Sequence, residues 1–374
     1  MTSLGAHDRA FMATALAMAS RGLGTTAPNP SVGCILVKDG RIVGRGWTQP
    51  GGRPHAETEA LNRAGDLARG ATAYVTLEPC CHHGETPPCT DALTAAGIAR
   101  VVIGSADPDD RVDGGGIAAL EDANIEVETG VLQGHADAVN GGYFKRARRG
   151  LPHIALKMAT TMDGRIALAS GESQWITGED ARRYGHLLRA TYDAVLIGSG
   201  TALTDDPELS CRLPGVGASS TNQPIRIVLD RRLRISADSK LATTANSVTT
   251  WVITSANADA DKVSQLEKAG VEILVAADPS GHAFARAAAC VLAEQGMTRV
   301  LVDGGANIAA SFLQDDLVDR IYAFRAPSFI GGEGIAVVAG LNLAWLADSP
   351  RFYRTEVRQL GMDLLEILDR PATF

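Results

Sequence analysis

Cysteine is scarce in this chain, and the scarcity excludes a disulfide-built scaffold. The six cysteines, Cys34, Cys80, Cys81, Cys89, Cys211 and Cys290, are spread over 374 residues, and three of them crowd one short segment. Metal ligation in a reducing compartment suits that distribution better than bridges, so a cytoplasmic protein is expected. Long apolar runs are also missing. Nothing approaches the ~20 residues of a membrane-spanning helix, and residues 9–19, rich in Ala and Met, are bounded by charge and glycine. Residues 1–6 carry no positive n-region, so no signal peptide is expected. No basic cluster is dense enough for a nucleic-acid duplex or a membrane surface, and the formal net charge is −8. The richest basic stretch, Lys145-Arg146-Ala147-Arg148-Arg149, is short and reads as a linker. Local basic residues could still hold a small phosphorylated ligand.

What remains is ordinary globular material: 45% apolar and 21% charged residues, in a length that favours two or three domains. Residues 8–20 read as a helix with Asp8 as its cap. Two strands, 32–37 and 41–47, meet at Lys38-Asp39-Gly40, an Asp-Gly hairpin signal. A helix opened by Pro54 runs to Ala64, a strand spans 73–77, a helix spans 88–96, a strand spans 101–104 and a helix spans 116–123. This order predicts a layered α/β domain. After Gly150-Leu151-Pro152 a second alternating region begins. Its predicted strands are 154–158, 194–198, 225–230, 249–254, 271–276, 300–303 and 321–325, which puts the domain boundary near 145–152.

The densest chemistry lies in His55-Ala56-Glu57, Pro79-Cys80 and Pro88-Cys89. One imidazole and two thiols with an open fourth position are what a catalytic zinc needs. The carboxylate two residues after the histidine can handle protons on the water that completes the coordination. Cys89 is expected at a helix N-terminus, where the partial positive charge favours thiolate. Together these point to hydrolytic deamination of a ring carbon, with His55, Cys80 and Cys89 as ligands and Glu57 as proton shuttle. A structural zinc would instead close its site with a fourth protein ligand, for which Cys81, His82 and His83 are at hand. The short C-x-x-C of most deaminases is absent, because eight residues separate Cys80 from Cys89.

Four segments make the resemblance specific: Thr26-Ala27-Pro28-Asn29-Pro30-Ser31-Val32-Gly33-Cys34, Pro54-His55-Ala56-Glu57, Thr76-Leu77-Glu78-Pro79-Cys80-Cys81-His82-His83-Gly84 and Thr86-Pro87-Pro88-Cys89. They resemble the deaminase half of the bacterial bifunctional riboflavin-biosynthesis family. In that family the deaminase removes ammonia from 2,5-diamino-6-(5-phosphoribosylamino)pyrimidin-4(3H)-one. The resemblance implies one zinc per chain and places Asn29 and His82 against the substrate. Cys81 stands where the family has serine.

The second half carries Lys157-Met158-Ala159-Thr160-Thr161-Met162-Asp163-Gly164-Arg165, then Gly171-Glu172-Ser173-Gln174-Trp175, then Gly198-Ser199-Gly200-Thr201-Ala202-Leu203-Thr204-Asp205, and later Asp303-Gly304-Gly305-Ala306-Asn307. Two strands thus end in small-residue loops that let backbone N–H groups approach an anion. The Rossmann fingerprint is not met: Leu203 replaces the third glycine, and no acidic residue follows at the ribose-binding distance. The residues alone support an anion-binding α/β domain. They are similar to the reductase half of the same family, which uses NADPH to reduce the ribosyl group of the deaminated product to ribityl. That likeness implies Ala159, Trp175, Thr201, Asp205 and the run Gly305, Ala306, Asn307, Ile308, Ala309, Ala310 and Ser311 at the cofactor. It implies Lys157, Ser173, Arg189, Leu209, Arg212 and Asp303 at the substrate, with Arg189 and Arg212 suited to clamp a phosphate. Asp303 replaces the family's glutamate, and Arg231 stands where a small hydroxyl residue is usual.

The expected architecture is therefore an N-terminal cytidine-deaminase-like three-layer α/β domain (1–148) and a C-terminal dihydrofolate-reductase-like α/β domain (149–374). The partner is a small phosphoribosyl-pyrimidine, with neither nucleic acid nor membrane, and a homodimer or homotetramer suits such an enzyme. Two other readings compete: a nucleoside or tRNA-base deaminase with an unrelated second domain, and a zinc-stapled ligand-binding module.

Overall fold

The computed structural model describes residues 5–84, 86–109, 112–215, 223–277 and 283–371. The chain divides into two compact units, 1–150 and 151–374. In the first unit, α1 (Ala6–Ala19) precedes a hairpin of β1 (Gly33–Lys38) and β2 (Arg41–Trp47). Asp39 and Gly40, both at positive φ, form its two-residue turn. There follow α2 (Ala56–Ala64), β3 (Thr72–Leu77), α3 (Cys89–Ala95), β4 (Arg100–Ser105), α4 (Gly115–Asp122), β5 (Glu126–Thr129) and α5 (Gln133–Arg149). The sheet runs β2-β1-β3-β4-β5. β1 is antiparallel to both neighbours, whereas β3, β4 and β5 are parallel. Strand alternation sends Ile35 and Val37 to one face, where Met12, Ala15 and Leu16 of α1 cover them. It sends Cys34 and Leu36 to the other, beneath Ala56 and Ala60 of α2, Leu93 of α3 and Leu120 of α4. The result is a three-layer sandwich.

Three local expectations need correction. Gly5, not Asp8, caps α1. Asp8 lies in the first turn, and its carboxylate accepts from Tyr74 Oη at 2.7 Å and Arg100 Nη1 at 3.0 Å. Pro54 does not open α2; His55 is its N-cap residue, with extended backbone, and the helix starts one residue later. The basic stretch 145–149 is no linker but the last turn and more of α5, which Gly150 ends in the left-handed region. Ala136, Asn140 and Phe144, four residues apart, bury that helix's inner face. Its C-terminal arginines sit where the helix dipole favours cations.

The second unit holds β6 (His153–Thr160), β7 (Arg165–Ala167), α6 (Glu179–Ala190), β8 (Ala194–Gly198), α7 (Ser199–Asp205), β9 (Ile225–Leu229), α8 (Lys240–Thr243), β10 (Thr250–Thr254), α9 (Ala260–Lys268) and β11 (Glu272–Val275). It continues with α10 (Phe284–Glu294), β12 (Arg299–Val302), α11 (Ala306–Gln314), β13 (Val318–Arg325), β14 (Ile335–Ala336), β15 (Tyr353–Leu360) and β16 (Asp363–Asp369). The main sheet runs β11-β10-β9-β8-β12-β6-β13-β16-β15. It is parallel from β11 to β13 and ends in the antiparallel pair β16 and β15. Leu196, Ile227 and Val300 pack against α10 and α11 through Ala288, Leu292 and Phe312. Val195, Val228 and Val252 pack on the opposite face with Leu188 of α6, Leu241 of α8 and Leu266 of α9. Every strand expected in both units forms. Among the described residues no helix is long and apolar enough to cross a membrane, and none of the six cysteines is in a disulfide.

One buried cation ties the second unit together. Arg226 is only 2% exposed. Its guanidinium donates to the carbonyls of Glu208 (3.3 Å), Leu241 (3.3 Å) and Val248 (2.7 Å) and to the hydroxyls of Thr244 (2.8 Å) and Thr250 (2.6 Å). Burial lowers its pKa to about 10. Arg226→Ala strands these acceptors in the interior, so a loss of about 3 kcal/mol or more is expected, read as an earlier urea-unfolding midpoint of this unit.

Candidate active sites

The first site forms where β3 ends. Glu78-Pro79-Cys80 leaves that strand, α2 begins beside it at His55, and α3 begins at Cys89. These three starts and ends bring His55 Nδ1, Cys80 Sγ and Cys89 Sγ within 4.8 Å of one another. His55 Nδ1 lies 3.3 Å from Cys89 Sγ and 3.7 Å from Cys80 Sγ, and the Cys89 amide donates to Cys80 Sγ at 3.4 Å. Ligands held ~2.0–2.3 Å from a tetrahedral zinc stand about 3.5 Å apart, so the donor set fits that ion. The Cys89 thiol hydrogen-bonds the Cys80 sulfur, which holds Cys80 down at about 4 and pushes Cys89 well above the ordinary thiol range. Both thiols would be held as thiolates by a bound metal dication. Among the described residues the group contains only these three donors. Cys81 does not join them: its Sγ lies 3.0 Å from where a Cβ on Gly115 would sit, at the start of α4.

Glu57 is 3% exposed in the first turn of α2. Burial raises its pKa, which suits a group that must both take and give a proton. It lines a cavity of about 170 Å³ with Asn29, Arg53, His55, Cys80, His82, Asp107, Asp109 and Tyr143. That volume suits a small ring rather than a single water, whose share of the liquid is about 30 Å³. His82 Nδ1 is buried there without a hydrogen-bond partner among the described residues. Asn29 is held from behind. Gly52 (φ +86°) presses so close that an added Cβ would fall 1.9 Å from Asn29 Nδ2. Gly52→Ala is therefore expected to displace the amide and lower deaminase kcat/KM roughly 10- to 100-fold, with zinc content unchanged by metal analysis.

Several residues around this cavity escaped the sequence reading. Glu78 accepts from the amides of Gly116 (2.9 Å), Ile117 (3.1 Å), Asp107 (3.3 Å) and Gly114 (3.3 Å), fastening the loop after β4 and the start of α4 to the metal-ligand segment. Asp107 accepts from Tyr143 Oη at 3.1 Å and from the Asp109 amide at 3.0 Å, and burial raises its carboxyl to about 6. Glu78 lay inside a recognised motif next to Cys80. Asp107 and Tyr143 come from the loop after β4 and from α5 and had no local signal.

In the second unit, β8 and β12 lie side by side, and α7 and α11 start at their carboxyl ends. Gly198 is overlaid by Ile308, whose Cγ1 would lie 2.4 Å from an added Cβ. Gly305 (φ +94°) caps α11, with Thr201 Oγ1 3.0 Å from where its own Cβ would sit. Thr201, Gly305 and Ile308 thus converge at the N-terminus of a nine-residue helix, a fitting cradle for a phosphate. Ala306 is half-buried and Asn307 exposed at the same end, whereas Ala309 and Ala310 face the core and Ser311 bonds back to the Asn307 carbonyl. Asp205, exposed at the end of α7, has its carboxyl raised by partial desolvation.

Beside this cradle Asp303 takes Lys157 Nζ at 3.0 Å and Arg189 Nη2 at 2.6 Å. Burial alone would raise the Asp303 carboxyl, but the two cations outweigh it and hold it well below the usual range. Arg189 also donates to the Ser210 carbonyl at 3.1 Å, next to buried Leu209. Three expected substrate residues are thereby joined in one network. Arg212 is not in it: it is exposed and pairs with Glu208 at 3.0 Å. Ala159 is half-buried near the end of β6, and Ser173 is half-buried in the loop before α6. Trp175, in that loop, is 67% exposed beneath the Arg182 guanidinium, 4.7 Å from its centroid. Arg231 stands exposed over Phe284, 5.9 Å from that ring.

Comparison with known proteins finds matches for both units. Residues 6–105 match the family described as the cytidine and deoxycytidylate deaminase zinc-binding region, and residues 152–365 match the RibD C-terminal domain. The second match rules out an unrelated second domain. The riboflavin biosynthesis protein RibD of Escherichia coli (strain K12) is 42% identical over 368 residues, 96% of this chain and 98% of its own. That of Bacillus amyloliquefaciens is 38% identical, covering 95% of this chain and 94% of its own. The solved structure of Acinetobacter baumannii RibD (form 1) superposes with a TM-score of 0.87 at 36% identity, over 98% of this chain and 99% of that one. A deaminase/reductase from Thermotoga maritima gives 0.84 at 34% identity, over 97% and 99%. With a three-donor metal group and Glu57 in one unit, and a helix-N-terminal cradle beside an ion-pair network in the other, this chain belongs to the RibD family of bifunctional riboflavin-biosynthesis deaminase/reductases.

Proposed function

We propose that the chain carries out two consecutive steps. Residues 1–148 remove ammonia hydrolytically from 2,5-diamino-6-(5-phosphoribosylamino)pyrimidin-4(3H)-one. Residues 149–374 then reduce the ribosyl group of 5-amino-6-(5-phosphoribosylamino)uracil to ribityl with NADPH. The observation that carries the first step is the convergence of His55 Nδ1, Cys80 Sγ and Cys89 Sγ within 4.8 Å, in the cavity that Glu57 lines. His55, Cys80 and Cys89 would hold one zinc, which supplies an acidified water as nucleophile. Glu57 would take a proton from the attacking water and deliver it to the leaving amine, so that water and amine are exchanged for carbonyl and ammonia. Asn29 and the unpartnered His82 Nδ1 orient the ring.

For the second step, Gly305–Ile308 and Thr201 would cradle a cofactor phosphate. Bound NADPH supplies the hydride for the sugar C1. Lys157, Arg189 and Asp303 order the substrate beside it; their combined charge of two cations and one carboxylate favours an anionic ligand. Trp175, Ala159, Asp205, Ser173, Leu209 and Arg212 complete the two binding surfaces in this reading. Six cysteines outside disulfides suit a cytoplasmic enzyme, and a homodimer or homotetramer acting on a small molecule fits the family. Ammonia release tests the substrate assignment. Release is expected from the diaminopyrimidine ribotide and not from cytidine or adenosine; the reverse pattern overturns the reading.

A further inference from the structure

The proposed first substrate is a phosphate monoester, carrying about −1.5 to −2 charges near neutral pH. The cavity that receives it is lined by four carboxylates, Glu57, Glu78, Asp107 and Asp109. Glu78 is engaged with four backbone amides. Among the described residues that line the cavity, Arg53 alone is an arginine or lysine. We infer that Arg53 anchors the substrate's phosphate and is the residue that makes the deaminase prefer phosphorylated over unphosphorylated pyrimidine ribosides. This rests on the substrate class proposed above.

The local structure suits the role. Arg53 stands two residues before His55, on a loop tied down by the Gly51 amide to the Thr25 carbonyl (2.8 Å), the Gly52 amide to the Gln49 carbonyl (2.9 Å) and the Gln49 amide to the Pro54 carbonyl (3.0 Å). Thr86 Oγ1 accepts from Arg53 Nη1 at 2.7 Å, fixing the fork at a rim formed also by exposed Gly84. The rim is open to solvent, whereas Glu57 and Cys89 lie buried on the inner side. A ring seated near Glu57 would leave its ribose phosphate at the open rim, where Arg53 stands. Guanidinium carries five N–H donors in a planar fork that matches phosphate bidentately.

The test compares kcat/KM for ammonia release from the diaminopyrimidine ribotide and from the same riboside without phosphate, in wild type, Arg53→Gln and Arg53→Lys. Zinc content checks that each variant keeps its site. The ribotide-to-riboside ratio is expected to fall about 10- to 100-fold in Arg53→Gln, mainly through KM, and less in Arg53→Lys. A ratio within twofold of wild type, or equal losses on both substrates, overturns the inference. If wild type releases ammonia from neither compound, the substrate assignment itself fails, and the inference falls with it.

Discussion

Glu57→Gln is expected to reduce ammonia release at least about 10³-fold in kcat, near the upper part of what positioned acid–base groups contribute. The amide keeps the shape and burial of the carboxylate but cannot take a proton from water or return it to an amine. Binding should change little, because His82, Asn29 and the rest of the wall are untouched. The variant should retain zinc as the wild type does, since the donors proposed to hold it, His55, Cys80 and Cys89, are intact. NADPH oxidation with pre-deaminated substrate should also persist. A Glu57→Gln enzyme that deaminates at the wild-type rate removes Glu57 from the chemistry.

Removing a ligand should be as severe and should reach further. Cys89 is buried at the start of α3, between its metal partners and the α2–α3 side of the core. Cys89→Ala leaves two donors of three, so zinc content per chain should fall from near one to a small fraction, and deaminase activity should fall about 10³-fold or more with it. Wild-type protein treated with a chelator should lose the same activity and regain it on zinc addition; the alanine variant should not regain it. Because binding to the folded state stabilises it by mass action, chelation should also lower the unfolding temperature of this unit. Melting curves with and without zinc read that shift. Unchanged melting and full activity in the chelated protein contradict the metal assignment.

The three-donor group was legible in the sequence because each donor sits on a short, local signal: a histidine before a helix, a cysteine after a strand, a cysteine after Pro-Pro. What surrounds it was not. Glu78 is fixed by amides of α4, more than thirty residues on, and Asp107 by Tyr143 of α5. Such pairings depend on packing that no local pattern encodes. The basic run 145–149 hides its helix for a related reason. That helix buries a thin stripe of Ala136, Asn140 and Phe144, interrupted by Gly141 and Gly142, so no strong apolar period announces it.

The second unit repeats the contrast. The parallel core strands were visible as apolar runs. β7, β14, β15 and β16 were missed here, as β5 was in the first unit; β5 and β15 are edge strands that carry charge at alternate positions, as in Glu126-Val127-Glu128 and Arg354-Thr355-Glu356. The pairing of Lys157 and Arg189 on Asp303 joins residues more than a hundred positions apart. It explains how the shorter carboxylate still meets both cations. Arg212 pairs with Glu208, four residues away.

The central claim is that one chain carries both steps in order. Incubation of the purified protein with the diaminopyrimidine ribotide and NADPH, with ammonia and NADPH followed together, tests it most directly. Ammonia should appear first, NADPH oxidation should follow after a lag, and the two should approach one mole each per mole of substrate consumed. NADPH oxidation without ammonia, or complete deamination with no NADPH consumed, contradicts it.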